Sequence, residues 1–265
     1  MKHNIVRYLV RHCGVTLKVV PWDWDLEQER HPANGERPLD GLFLSNGPGD
    51  PARLTKTIEN VRKFIQTSSK AAERALGSEV DGANEADEPD TPLIPVFGIC
   101  LGNQLMGLAA GCTTYKMKFG NRGMNVPVID LRTTLAYITP QNHGYALDNN
   151  TLPPDWKAFF VNANDGSNEG LIHAHKPFFS VQFHPEHRGG PCDTEWLFHM
   201  FLERVRDRRT IVTTVAHMPV AQMPIRKVLL LGSGGLSIGQ AGEFDYSGRS
   251  VGQTDSAWQQ HGVFA

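Results

Sequence analysis

Apolar positions recur along this chain with two periods, and the alternation between them predicts its elements. Residues 4–13 place Ile5, Val6, Leu9, Val10 and Cys13 on one face of a helix that Gly14 ends. Residues 16–22 read as a strand, and DGLFLSNGPGDP (40–51) as a buried strand breaking into a Gly/Pro turn. A helix follows, with Ile58, Val61 and Ile65 spaced for burial. Residues 67–92 are small, polar and acidic, which predicts a solvated insertion unable to bury enough apolar surface to fold alone. Order returns at PVFGIC (95–100), a strand turning sharply into the helix LGNQLMGLAAG. Shorter β segments follow at 137–147, 156–165, 170–176 and 178–183, and an amphipathic helix over 194–208 closes the domain. Strands alternating with helices, then a cluster of β segments, predict an α/β fold: a mostly parallel central sheet, helices on both faces, and an antiparallel extension.

Beyond 208 the pattern changes. Residues 209–224 are of mixed polarity with Pro219 and Pro224, and read as a linker. KVLLLGSGGLSIGQAG (227–242) then reads strand, Gly-rich loop, helix, the start of another α/β unit. The 265 residues have room for one large domain plus a fragment of another, in keeping with this division.

Charge and cysteine content narrow the function classes. The formal net charge of -2 gives no basic surface for nucleic acid. No apolar run approaches the roughly 20 residues of a membrane span, and the charged N-terminal segment is not a secretory signal. The four cysteines lack CxxC spacing and are too few for a disulfide framework, so a reduced, cytoplasmic setting and no metal site are expected.

One cysteine stands out. Cys100 lies in Gly98-Ile99-Cys100-Leu101-Gly102, between a strand and a helix. Such a turn lifts a nucleophile above the sheet, and small flanking residues let the strained turn form. The helix starting there aims its amide N–H groups at the sulfur, favouring the thiolate and offering donors to an oxyanion. Alone, this turn fits a buried inert cysteine about equally well. FFSVQFHPEH (178–187) shifts the balance: a strand ends in His184-Pro185-Glu186. A thiol nucleophile needs a base, and the base needs a carboxylate to hold its tautomer. Residues two apart at a strand end project to one side, so Glu186 can hold His184, whereas His187 points away and reads as a surface residue.

Taken together, GICLGNQ, SNGPGDP, QNHGY, NANDGSNEG and SVQFHPEH resemble the glutaminase domain of carbamoyl-phosphate synthetase, of the type fused to its synthetase. The likeness runs from about residue 2 to 208, interrupted by 67–92, and YKMKFGNRGMNVPV (115–128) shares it. It implies a class I glutamine amidotransferase fold (flavodoxin-like), with 1–208 as that domain. It also implies an enzyme that hydrolyses L-glutamine with Cys100, His184 and Glu186 through a thioester, and passes ammonia on for carbamoyl phosphate and pyrimidine synthesis. The backbone N–H groups of Leu101 and Gly47 would form the oxyanion hole, with Gly47 and Gly49 letting backbone approach the substrate. Gln104, Asn142, Gly144 and Tyr145 would hold the amino-acid head of glutamine, the last being Phe in most of the family. Residues 225–248 resemble the opening of the synthetase portion, the implied partner, where ATP and a divalent metal would bind; the glutaminase domain itself needs no cofactor.

The resemblance also sets expectations where the chain departs from it. An opening strand is expected just before residue 2, inside the sheet, and its absence is expected to leave strands 16–22 and 41–45 with unpaired backbone. A preceding small-subunit domain, which supplies a serine to the glutamine site, is likewise missing from the sequence. The chain by itself is therefore expected to fold poorly. The pattern is expected to stop after Gly248, leaving 249–265 as an off-pattern tail. Asn103 stands where glutaminase-active relatives usually carry His, and exchange for His is expected to alter turnover with little effect on stability. The competing readings are a non-catalytic remnant of an ammonia-dependent synthetase, an amidotransferase serving another synthase, and an inactive gene fragment. The intact Cys, His and Glu weigh against the first, and 225–248 against the second.

Overall fold

The computed structural model describes residues 2–30, 32, 38–75, 93–186, 192–207 and 228–231. His187, the linker 209–224, the tail 249–265 and most of the acidic insertion lie outside the described residues.

The chain opens with α1 (His3–Arg7), which widens into a π-helical turn over Tyr8–His12, closed by Cys13 N–H donating to the Tyr8 carbonyl at 3.0 Å. The wider turn corrects the expected helical face. It rotates Tyr8 into the core and leaves Val10 exposed, because the period that places Val10 beside Leu9 holds only for a continuous α-helix. Next come β1 (Leu17–Val20), β2 (Gly41–Leu44), α2 (Thr55–Ala75), β3 (Val96–Ile99) and α3 (Leu101–Ala110). Helix α2 continues to Ala75, into the stretch read as insertion.

The second half is β4 (Thr114–Asp130), β5 (Ala136–Leu147), β6 (Trp156–Asn162), β7 (Asn168–His173), β8 (Phe178–Val181) and α4 (Trp196–Arg206), followed by β9 (Val228–Leu231). Strand β4 has no sequence signal of its own. Apolar, charged and glycine residues are mixed along it without a clear period, and it is held as the long antiparallel partner of β5.

All nine described strands join one sheet in the order β1-β9-β2-β3-β8-β7-β6-β4-β5. From β1 to β8 neighbours run parallel, and from β8 through β7, β6 and β4 to β5 they run antiparallel. The parallel strands β2, β3 and β8 are buried on both faces, as strands covered by helices on each side must be. Phe43, Phe97 and Phe179 point to one face and pack with Tyr8, Phe198 and Phe201 of the N-terminal helix and α4. Leu42, Leu44 and Val96 point to the other, against Val61, Phe64, Leu105 and Met106 of α2 and α3.

Strand β9 corrects one expectation. It pairs in parallel with both β1 and β2, so neither is left with an open backbone edge in the space between them.

Candidate active site

The elements converge at the carboxyl ends of β2, β3 and β8, three adjacent parallel strands, where α/β sheets place their sites. Cys100 follows β3 directly and caps α3, with φ 56° and ψ -104°, a conformation costly for a residue with a Cβ. Its N–H donates to the Val181 carbonyl at 2.8 Å, and its carbonyl accepts the first helical bond, from Gln104 N–H at 3.2 Å. The flanking glycines are needed for space. A Cβ on Gly98 would sit 2.7 Å from the Gly102 backbone, and one on Gly102 would overlap the Leu44 carbonyl. The nucleophile turn is therefore wedged against β2 with no room for a methyl group.

His184 and Glu186 follow β8. The His184 Nδ1 and Glu186 Oε1 atoms are 2.8 Å apart, and both residues are almost wholly buried. The His184 N–H donates to the Pro140 carbonyl of β5 at 2.9 Å, which ties the base to the QNHGY strand. Burial and the Lys2 ammonium push His184 down, but Glu186 and the neighbouring Cys100 outweigh them and raise it to about 9. Burial pushes the Glu186 carboxyl up, yet His184 and Lys2 together hold it well below the usual carboxylate range. Contact between Cys100, His184 and Glu186 thus favours a protonated imidazole over an ionised carboxylate.

The other sequence-predicted residues surround this group. The Cys100 Sγ lies 4.0 Å from the Asn142 carbonyl oxygen. Gln104 is buried beside it, donating to the Tyr145 carbonyl at 2.9 Å and to Gln182 Oε1 at 3.1 Å. Gly144 and Tyr145 continue the β5 edge, both half-buried. Leu101 is the first residue of α3, so its N–H lies in the turn that follows the sulfur. Gly47 follows Asn46 in the loop after β2. Gly49 has φ 95° and open space around it, so glycine is required there by the turn itself.

Three groups of residues make contacts that the sequence reading does not contain. Lys2 is buried, its Nζ 3.6 Å from Glu186 Oε1 and its backbone N–H bonded to Asn46 Oδ1 at 3.1 Å. A lysine ahead of an amphipathic helix carries no periodic or motif signal. Asn103 is fully buried, accepting from Ser180 Oγ at 2.8 Å and donating to Gln182 Oε1 at 3.1 Å. Here a signal existed: Ser180, Gln182, His184 and Glu186 alternate with Val181, Phe183 and Pro185, a polar row of period two running into the site. Under the QNHGY strand, the His143 ring sits between the Tyr145 carbonyl at 3.0 Å and Gln141 Oε1 at 3.1 Å, with Glu169 Oε1 3.5 Å away.

A cysteine on a strained strand-to-helix turn, backed by a buried His–Glu pair, is an arrangement that suits an α/β enzyme with a thiol nucleophile. Comparison with known proteins gives the family. The family model described as glutamine amidotransferase class-I matches residues 1–71 and 75–204. The chain belongs to the class I glutamine amidotransferases. A second model, the carbamoyl phosphate synthase preATP-grasp domain, matches residues 224–263 and runs past Gly248.

Among curated relatives, the multifunctional protein pyrABCN of Emericella nidulans is 45% identical over 100% of this chain and 11% of its own length. The multifunctional protein pyr1-3 of Dictyostelium discoideum is 46% identical over 99% of this chain and 11% of its length. The mitochondrial carbamoyl-phosphate synthase (ammonia) of Homo sapiens is 45% identical over 94% of the chain and 15% of its length. The chain thus spans between 11% and 15% of these relatives. A solved protein of Thermoplasma acidophilum, described as one subunit of a GMP synthase, superposes with a TM-score of 0.57. Its identity is 24% over 78% of this chain and 89% of that one, a likeness of fold. Among the described residues, no helix is long and apolar enough to cross a membrane.

Proposed function

We propose that the chain hydrolyses L-glutamine to glutamate and ammonia, and that the ammonia serves carbamoyl phosphate synthesis by a synthetase portion of the same polypeptide. The observation that carries this reading is Cys100 at φ 56° at the start of α3, at the same strand ends as a buried His184 held by Glu186 at 2.8 Å.

The chemistry follows from those contacts. The Cys100 thiolate attacks the side-chain amide carbon of glutamine, and the carbonyl π electrons move onto oxygen. The backbone N–H groups of Leu101 and Gly47 would receive that oxyanion. The protonated His184 gives its proton to the amide nitrogen, the C–N bond breaks, and ammonia leaves behind a thioester. Neutral His184 then takes a proton from water as it attacks the thioester. A second oxyanion collapses, the C–S bond breaks, and glutamate is released. Glu186 holds the imidazole throughout and stabilises its charge. Gln104, Asn142, Gly144 and Tyr145, with Gly49 in the turn beyond Gly47, would frame the amino-acid head of the substrate.

Carbamoyl phosphate as the destination of the ammonia is supported by the relatives and by the preATP-grasp match at 224–263. ATP and a divalent metal would belong to that synthetase portion, and the first step towards pyrimidines to the polypeptide as a whole. Four cysteines without pairing spacing support a reduced, cytoplasmic setting.

The test is mass spectrometry of the chain after quenching with glutamine present. A glutamyl thioester on the tryptic peptide carrying Cys100, absent in Cys100→Ser, is expected. In a polypeptide containing the synthetase, Cys100→Ser should abolish glutamine-dependent synthesis and spare ammonia-dependent synthesis. Equal loss of both activities, with no adduct on the unaltered protein, would make Cys100 a structural residue.

A further inference from the structure

Four polar side chains form one hydrogen-bonded row between α3 and the end of β8, and all are almost wholly buried: Asn103, Gln104, Ser180 and Gln182. Gln104 lies one helical turn beyond Cys100, its N–H bonded to the Cys100 carbonyl at 3.2 Å. Its side chain reaches across to the Tyr145 carbonyl of β5. The Asn142 carbonyl of the same strand is 4.0 Å from Cys100 Sγ, so this amide bridges the two elements that flank the sulfur.

A primary amide can turn over, exchanging its oxygen and nitrogen, so its orientation is fixed only by a partner whose polarity cannot reverse. The Tyr145 main-chain carbonyl is such a partner, because it only accepts. It takes one proton of Gln104 Nε2 at 2.9 Å, which puts the nitrogen of that amide on the Tyr145 side. The same nitrogen gives its second proton to Gln182 Oε1 at 3.1 Å. Gln182 Oε1 also accepts from Asn103 Nδ2 at 3.1 Å, and Asn103 Oδ1 accepts from Ser180 Oγ at 2.8 Å. Turning any one amide over would set like against like at the next, so a single carbonyl orients the whole row.

The row strands one atom and frees another. Gln182 Nε2 is sealed from solvent with no acceptor among the described residues, and a buried donor without a partner is destabilising. Gln182 therefore serves through its oxygen. At Gln104 both amide protons are taken, and the group has nothing left to donate. Its Oε1 takes no donor among the described residues and is not sealed from solvent.

We propose that Gln182 is a positioning residue for substrate recognition: by engaging the second proton of Gln104 it makes that side chain a pure acceptor, which selects the α-ammonium end of the substrate over its α-carboxylate. The inference rests on the glutamine reading above and deepens it, assigning one end of the substrate and a residue two positions ahead of the base. A lone acceptor attracts –NH3+ and repels –COO−. Without an acceptor at Gln182, the released proton of Gln104 would turn towards the ligand and oppose the ammonium.

The experiment titrates the full chain as Cys100→Ser, which binds without turnover, with and without Gln182→Met, by calorimetry. The two ligands are L-glutamine and 4-carbamoylbutanoate, which is glutamine lacking its α-amino group. Methionine matches the length of glutamine and offers no donor and only a weak acceptor. Gln182→Met should weaken L-glutamine binding by about tenfold or more, the worth of a hydrogen bond to a charged group, and leave that of 4-carbamoylbutanoate as it was. Gln182→Glu returns an acceptor to the same place and should bring the ratio between the two ligands back at least to its original value.

Equal losses for both ligands are the mark of a merely structural residue, and they overturn the proposal while the glutamine reading stands. Tighter L-glutamine binding in Gln182→Met overturns it as well, since the carboxylate would then face Gln104. If Cys100→Ser binds neither ligand, the glutamine reading falls and this inference falls with it. Should Gln182→Met fail to fold, NMR of the unaltered chain decides. Both side-chain amide protons of Gln104 should exchange with water at least about 100-fold more slowly than those of exposed Gln28. A fast-exchanging proton on Gln104 would leave it a donor and sink the role assigned to Gln182.

Discussion

Lys2 and His184 converge on a single atom: Lys2 Nζ lies 3.6 Å, and His184 Nδ1 2.8 Å, from Glu186 Oε1. Two cationic groups therefore share one buried carboxylate oxygen. Lys2 strengthens the ionised state of Glu186 and opposes the protonation of His184. Lys2→Met should cost about 3–5 kcal/mol, the loss on breaking a buried ion pair by removing one partner. It should also let His184 titrate at higher pH, since a cation that pushes it down is gone. Urea unfolding and an NMR titration of the imidazole check both; unchanged values would make the lysine a bystander.

The same group sets a pH window for stability. His184 is raised from 6.5 to about 9, so its contribution is fully present below 6.5 and is lost as pH rises through about 9. Glu186 is depressed from 4.5 to about 2, so its contribution is present above 4.5 and is lost as pH falls through about 2. Both act in full only between 4.5 and 6.5. The difference in Tm between the unaltered chain and Glu186→Gln should be greatest in that interval and narrow on the alkaline side. A difference that stays constant from pH 5 to 10 would show that the imidazole is neutral throughout.

Glycine substitutions separate space from backbone conformation. Gly102→Ala drives a methyl group into the Leu44 carbonyl, backbone against backbone, and should cost upwards of about 3 kcal/mol. Gly49→Ala meets nothing within 4 Å and pays only for its φ of 95°, about 1–2 kcal/mol. Thermal unfolding of the two variants should rank them in that order. Equal losses would mean that the nucleophile turn can shift away from β2.

The full burial of Asn103 between Ser180 and Gln182 argues against a stability-neutral exchange for His, since the larger ring must displace one of these partners. Truncation is the cleaner probe. Asn103→Ala should cost about 1–3 kcal/mol, because it strands the Ser180 hydroxyl and takes one of two donors from Gln182 Oε1, which keeps Gln104. Ser180→Ala in the same background should then cost much less than it does alone, as neighbours in one network are not additive. Additive losses in a double-mutant cycle would show that the two side chains do not communicate.

The legible parts of the molecule are those with a local cause. The nucleophile turn can be read because glycines at 98 and 102 serve the backbone on either side of Cys100, and His184 and Glu186 because two residues at a strand end share a side. Strand β4 is not legible, because its pairing with β5 rests on backbone bonds that Gly and Lys carry as well as Val does. Lys2 is not legible either. Its role arises from a contact across the whole domain, between residues 2 and 186, that no window of sequence contains. The seat of β9 is hidden for the same reason: a four-residue apolar strand looks alike in any sheet.

The position of β9 also orders events during synthesis. Residues 2–207 leave the ribosome before Val228, and by then β2, β3 and β8 can pair with one another. The edge of β2 that faces β1 stays without its ladder until residues 228–231 have emerged and threaded between two strands made some 200 residues earlier. A nascent chain paused before that point would present an apolar, unpaired edge to its neighbours on the same message, and the pace of translation across 208–231 would bear on how much of it matures.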